Sequence, residues 1–407
     1  MRGPGHALLS PTGSRLHPAL APHLDRLRAA AGAEPLGLYL HLPFCVDRCT
    51  YCSFATTRDR SLQSAAVARL AADLRAWGAA LGRPAVDTLY FGGGTPSLLD
   101  LPELARLTTA AREAFDLDPL AEATLEANPG TVDRAWLEGA RALGWDRLSL
   151  GVQALDDALL ARLGRIHGTA QALEVLAWAG AAGFNRRSAD LMVGIPGQSL
   201  AQVLADARTL AATGLDHLSV YLLDLDKACP LRAEVDAGRL ELPSEDAVAD
   251  VFEALQRELP GLGLAPYEIS NFARPGGESL HNTRYWERRP YLGLGPSAAS
   301  HLVDLRWTES PVIPAWVEGR GELDLQELDP AEALAEVPLL GLRQHRGVDW
   351  AALRRLAEAQ GLRPLADAWE ARLRALAREG LTVWTGDRVH LSPRGMLLSN
   401  GILGMFV

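Results

Sequence analysis

The 407-residue sequence is short of several things that would each point to a different kind of protein. No apolar run approaches the ~18 residues that span a bilayer, so no transmembrane segment is expected. The start, Met1-Arg2-Gly3-Pro4-Gly5, lacks the charged-then-apolar order of a secretory signal. Positive charge is in deficit: 40 Lys and Arg against 50 Asp and Glu give a formal charge of −10, which disfavours nonspecific binding to nucleic acid. Cysteine is scarce, four residues in all, as expected in a reducing cytoplasm. What is plentiful is apolar residues, 48% of the chain, enough for one large core and one smaller one. A soluble, cytoplasmic, globular protein is expected.

Three of the four cysteines fall within eight residues, in His41-Leu42-Pro43-Phe44-Cys45-Val46-Asp47-Arg48-Cys49-Thr50-Tyr51-Cys52-Ser53-Phe54. Three thiols cannot all pair as disulfides, and so short a loop pairs them badly. Soft ligands in a tight loop suit an iron–sulfur cluster with one iron left to another ligand. Zinc competes, but a structural zinc site takes four ligands, commonly as two separated pairs. Here a fourth would have to come from Cys229, His41 or His281. A third reading is three unligated core cysteines, against which the intervening Asp47 and Arg48 argue for a surface loop.

The arm at 1–35 carries a short expected helix at 20–31 and no assigned function. From residue 36, β-type runs at 37–42, 86–91, 122–127, 147–152, 188–193 and 217–222 alternate with helical runs at 62–81, 102–115, 133–143, 170–182 and 200–212. This rhythm predicts right-handed βα units on a parallel sheet: α/β class, a partial (β/α)6 barrel, two units short of a closed ring. Polar words recur at the strand ends: Gly92-Gly93-Gly94-Thr95-Pro96, Glu126-Ala127-Asn128-Pro129, Gly151-Val152-Gln153, and Asp190 before Gly194-Ile195-Pro196-Gly197. In a parallel barrel these ends share one rim, which the cysteine loop also reaches. The glycines could hold an anion or simply turn the chain. Glu126, Gln153 and Asp190 could each be structural; together, beside a candidate metal loop, they favour a ligand site.

Past residue 240 the pattern changes. A helix is expected at 242–259 and a strand at 266–270, followed by a polar and aromatic stretch from Asn271 to Trp286. His281 offers an imidazole to iron, and Tyr285 and Trp286 offer flat faces to a macrocycle. The plainer alternative is a loop whose aromatics cap the barrel. From 325, three helical runs (331–344, 350–359, 364–379) and a hairpin (381–384 with 388–391) predict a winged-helix-like α+β domain. Its arginines are interspersed with Asp and Glu, so it is expected to cover the barrel rather than bind DNA. The expected domains are therefore 1–35, 36–240, 241–324 and 325–407.

Cys45-x3-Cys49-x2-Cys52, with Tyr51 before the last cysteine, resembles the signature of the radical S-adenosylmethionine (SAM) superfamily. The flanking Tyr39-x-His41-Leu42-Pro43-Phe44-Cys45 and Tyr51-Cys52-Ser53-Phe54 resemble its coproporphyrinogen-dehydrogenase-like branch. The resemblance implies a [4Fe–4S] cluster on Cys45, Cys49 and Cys52, with SAM on the fourth iron. It assigns Tyr39, Gly93, Gly94, Thr95, Glu126, Gln153, Arg165 and Asp190 to SAM. The segment Tyr267-Glu268-Ile269-Ser270-Asn271-Phe272-Ala273, with His281-Asn282-x2-Tyr285-Trp286 and Tyr291-Leu292-Gly293-Leu294-Gly295, is similar to the heme-chaperone family of that branch. There His281, Asn282, Tyr285 and Trp286 would bind heme as cargo for an acceptor hemoprotein. The resemblance also allows peripheral membrane association through a protein partner, and a homodimer.

The decarboxylating enzymes of the branch carry another cysteine two residues after the third, where this chain has Phe54. A coproporphyrinogen III oxidase-type enzyme stays as the alternative, and a zinc protein with a winged-helix interaction domain as a third. Cys229 and the segment Gly295-Pro296-Ser297-Ala298-Ala299-Ser300 depart from the family pattern; Cys229 reads as an incidental thiol.

Overall fold

The computed structural model describes residues 16–407. The opening Met1–Gly5 segment, and most of the first half of the arm, lie outside the described residues. The contacts divide the chain into two units. Among the described residues, one comprises 16–188, 224–234 and 289–327, the other 189–223, 235–288 and 328–407.

In the first unit, β1 (Leu36–Leu42), β2 (Val86–Gly93), β3 (Glu122–Ala127) and β4 (Arg147–Gln153) run parallel in chain order. Helices Gln63–Leu81, Leu101–Ala114, Arg134–Ala142 and Thr169–Ala181 connect and follow them. Two of these starts are written locally: Asp100 and Glu103 form a reciprocal capping box, and the Asp133 carboxylate accepts the Trp136 N–H. The second unit holds β5 (Arg186–Val193) from Ala189 on, with helix Leu200–Ala212 and β6 (His217–Leu222). This is the barrel-like parallel sheet that the alternating runs predict.

Strand β1 shows how the sheet sorts its two faces. Leu36, Leu38, Leu40 and Leu42 are buried, and Tyr39 and His41 alternate with them. Tyr39 and Tyr90 of β2 are register partners with ring centres 5.9 Å apart, so the polar side chains share a face. A closed barrel would fill that face with branched apolar residues. Here it carries tyrosine, histidine and carboxylate, which marks it as the working side.

The first unit also holds strands that local pattern did not reveal. Tyr291–Leu294 pairs in parallel with the other edge of β1, and Ala299–Leu302, Leu305–Glu309 and Leu323–Glu327 extend the sheet antiparallel. The N-terminal helix, at Leu24–Ala33 after a 3-10 turn, lies against this extension, with Arg26 paired to Asp304 at 3.1 Å and to Glu327 at 2.7 Å.

In the second unit the strand expected at 266–270 does not form. Short strands flank it instead, at Ala265–Pro266 and Asn271–Ala273. Pairing ends after Pro266, which sits opposite Phe272, and the Glu268 carboxylate takes the Ser270 N–H at 2.9 Å, turning the chain locally. The aromatic stretch is not all loop: Leu280–Trp286 is a helix capped by Ser279. Helices Pro330–Gly341, Trp350–Ala359 and Arg363–Arg378 pack with a sheet in which Arg388–Leu391 lies between Thr382–Thr385 and Val348–Asp349. Trp350, Trp369, Leu373, Val389 and Phe406 centre its core. Among the described residues no helix is long and apolar enough to cross a membrane.

Candidate metal and nucleotide centre

The cysteine loop leaves β1 and is pinned at several points. Cys45 donates its N–H to Thr57 O at 2.9 Å, and Cys52 to Cys49 O at 3.1 Å. Thr50 donates its N–H to Leu163 O at 3.0 Å and its hydroxyl to Arg162 O at 3.0 Å. These bonds bring the loop to the segment that carries Arg165. Arg165 Nη1 donates to Cys49 Sγ at 3.2 Å and Nη2 to Gly151 O at 2.6 Å. The Thr95 hydroxyl points at Cys45 Sγ at 3.7 Å. Burial pushes the Cys45 thiol up, and the Thr95 contact opposes it. Hydrogens aimed at sulfur favour thiolate over thiol, the form that holds iron. Among the described residues no three His, Cys, Asp or Glu side chains are grouped as around a single metal ion. A cluster asks for something else, since each cysteine then serves a different iron. The donor set, three partly buried thiols with a cation and a hydroxyl against two of them, fits a cluster.

The glycine segment packs directly on this loop. Gly94 donates to Leu42 O at 2.8 Å, and a Cβ there would sit 2.8 Å from Phe44 O. Gly93, at φ +113°, donates to Glu126 Oε2 at 3.0 Å, while the Tyr90 hydroxyl donates to Oε1 at 2.7 Å. Glu126 therefore ties the end of β2 to β3. Tyr90 was not legible as its partner, because the contact is made only by neighbouring strands.

Beneath Gly93 lies His41, buried, its Nε2–H donating to Ala55 O at 3.0 Å and its Nδ1 accepting the Tyr39 hydroxyl at 3.1 Å. Burial lowers its pKa, so the ring is neutral. His41 thus links the start of the cysteine loop to its far side and fixes Tyr39; its role here is positioning.

Gln153 ends β4 with φ +72°, a left-handed backbone rare for a side-chain-bearing residue, and it is only 8% exposed. A Cβ on Gly151 would lie 3.1 Å from Gln153 Nε2 and 3.0 Å from Arg165 Nη2, so the two side chains converge over that glycine. The structure thus sets Thr95 and Arg165 against Cys45 and Cys49, Gln153 beside Arg165, Gly94 against the loop, and Gly93 between Glu126 and the His41 that holds Tyr39. Asp190, half-buried on β5, belongs to the second unit, as do His281, Asn282, Tyr285 and Trp286.

His167, two residues past Arg165, braces this rim. Its Nδ1 lies 3.0 Å from Asn128 Oδ1 and its Nε2 3.2 Å from Val152 O, joining the ends of β3 and β4. Burial and the nearby Arg165 charge lower its pKa to about 4. In the unfolded chain it returns to ~6.5. Its contribution to stability is therefore complete above pH ~6.5 and is lost as pH falls towards 4. His167→Gln should reduce the slope of unfolding free energy between those values by about one proton. Denaturant titrations at several pH values measure it, and an unaltered slope would mean that His167 is not buried neutral.

In the second unit, His281 is 1% exposed, and its Nε2 shares a 2.8 Å hydrogen bond with the Tyr285 hydroxyl, one helical turn on. The Ser279 hydroxyl accepts the Asn282 N–H at 3.3 Å, and Ser279 N–H donates to the Tyr267 hydroxyl at 3.2 Å. Tyr267 in turn meets His217 Nε2 at 2.8 Å. The two halves of the signature, Tyr267 and Ser279 to Trp286, are thus locked to each other.

Comparison with known proteins yields consistent kin. Residues 39–210 match the Radical SAM superfamily, and residues 328–398 the HemN C-terminal domain. A Mycobacterium tuberculosis (strain CDC 1551 / Oshkosh) protein named heme chaperone HemW is 35% identical over 379 residues, covering 91% of this chain and 94% of its own. The Bos taurus protein named radical S-adenosyl methionine domain-containing protein 1, mitochondrial, is 36% identical over 338 residues, covering 82% and 74%. The solved structure of Escherichia coli coproporphyrinogen III oxidase (HemN), described as a radical SAM enzyme, aligns with a TM-score of 0.80 at 23% identity, covering 94% of this chain and 93% of that one. That last likeness establishes the fold.

Proposed function

Because the chain belongs to the HemW family of heme chaperones in the radical SAM superfamily, we propose that it binds heme and delivers it to acceptor hemoproteins, on a scaffold that also holds a [4Fe–4S] cluster and SAM. The observation that carries this is kinship at 35% identity along 91% of the chain. Phe54, 66% exposed where the decarboxylating enzymes place a cysteine, supports the chaperone over the oxidase. The working compartment is the cytoplasm, where clustered thiols stay reduced.

Cys45, Cys49 and Cys52 hold the cluster, whose bound form supplies low-potential electrons. Arg165 and Thr95 stabilise the anionic sulfurs of Cys49 and Cys45. Tyr39, Gly93, Gly94, Thr95, Glu126, Gln153 and Arg165 serve SAM from the first unit, with Glu126 ordering the glycine segment through Gly93 N–H. For heme, His281 supplies the imidazole, Asn282 and Tyr285 set its orientation, and Trp286 adds a flat apolar face. Since Tyr285 engages Nε2, that hydrogen bond must open for Nε2 to serve as ligand.

Heme titration followed at the Soret band tests this reading. His281→Ala should weaken binding about tenfold or more, ~1.4 kcal/mol per decade, and shift the band. An unchanged spectrum and affinity would remove His281 as the ligand.

A further inference from the structure

We infer that Arg343 is the carboxylate anchor of the heme-binding segment, its guanidinium taking a propionate of the cargo while stacked on Trp286. This rests on the reading that the chain binds heme, and it adds a residue that the signature does not contain.

Among the described residues, three arginines stack on tryptophans: Arg69 on Trp316, Arg374 on Trp384 and Arg343 on Trp286, the last at 5.4 Å. Two of them have a carboxylate at hydrogen-bond distance. Arg69 Nε meets Asp73 at 2.7 Å, and Arg374 Nη2 meets Glu370 at 2.8 Å. The Arg343 guanidinium has neither a hydrogen bond nor an ion pair within reach among the described residues. It is half-buried, and burial lowers its pKa, so part of its hydration is lost with no protein acceptor in its place.

The neighbouring acid does not meet this need. Glu268 interacts with Arg343 only through its charge, and it is committed to the Ser270 N–H. At 2% exposure, burial raises its pKa to about 7, so near neutrality it is only partly ionised. The Trp286 indole N–H is itself buried without an acceptor. Two unmet donor groups meet at the last residue of the helix that carries His281.

A guanidinium fork matches a carboxylate bidentately, and a tryptophan face beneath it holds the fork flat. Heme is an apolar disc whose only anionic groups are two propionates. A ligand for the iron and a flat apolar side chain on one helix, with a half-buried cation stacked on that side chain, answer the three parts of that molecule. The plainer alternative is that the Arg343 stem merely covers Trp286.

Titrations of the full chain with heme and with heme dimethyl ester separate the two. The wild type should prefer the free acid by about tenfold or more, the worth of a charge-assisted hydrogen bond. Arg343→Gln should erase that preference while leaving ester affinity in place. Arg343→Lys, which keeps the charge without the fork, should keep part of it. An undiminished preference in Arg343→Gln, or equal weakening of acid and ester, would overturn the assignment. Should the wild type take up neither macrocycle, the heme-chaperone reading itself falls, and this assignment with it.

Discussion

Cys49→Ala is expected to abolish the iron of anaerobically reconstituted protein, from about four atoms per chain to near none, together with its brown absorption. The chain supplies only three clustered thiolates, so the loss of one leaves a cube with two anchors. Cys49 is also the sulfur that Arg165 contacts, so its removal leaves a half-buried guanidinium facing carbon. Cys45→Ala should do the same, stranding the Thr95 hydroxyl. Cys229→Ser should retain full iron, since Cys229 lies outside the triplet. Iron and zinc assays on the three variants check this. A colourless wild type loaded with zinc would instead restore the mononuclear reading.

Gly93→Ala is expected to weaken SAM binding by more than about thirtyfold while leaving the iron in place. The added Cβ would lie 2.7 Å from the His41 ring. That ring cannot yield easily, because Tyr39 and Ala55 hold its two nitrogens. The backbone at φ +113° is also unfavourable for alanine. Strain and overpacking together amount to about 2–4 kcal/mol, released by moving the Gly93 N–H off Glu126. Equilibrium SAM binding to the reconstituted variant measures it. Wild-type affinity would mean that the triple glycine is only a turn.

Much of this molecule is legible in its sequence because the information is local. Strand β1 alternates leucine with Tyr39 and His41, and the helices Leu101–Ala114 and Arg134–Ala142 begin at caps that can be read residue by residue. The cysteine loop is likewise written in one stretch. What escapes is whatever depends on residues far apart. The strand Tyr291–Leu294 is four residues long and is defined by β1 rather than by its own composition. The seven-residue helix Leu280–Trp286 is too short to show a period, although Ser279 three residues before Asn282 is a cap signal. Conversely, the run at 266–270 has strand-like composition, yet the turn that Glu268 makes with the Ser270 N–H breaks it after Pro266. At the site, the pairing of Tyr90 with Glu126 and the left-handed backbone of Gln153 appear only once neighbouring strands are in register.

One anaerobic sample, reconstituted with iron and sulfide and supplied with SAM, reductant, heme and coproporphyrinogen III, decides between chaperone and oxidase. Followed with an apo-hemoprotein as acceptor, it should transfer heme to that acceptor and leave the porphyrinogen carboxylates intact. Protoporphyrinogen formed with release of carbon dioxide, without heme transfer, would show that the chain is a porphyrinogen-decarboxylating enzyme.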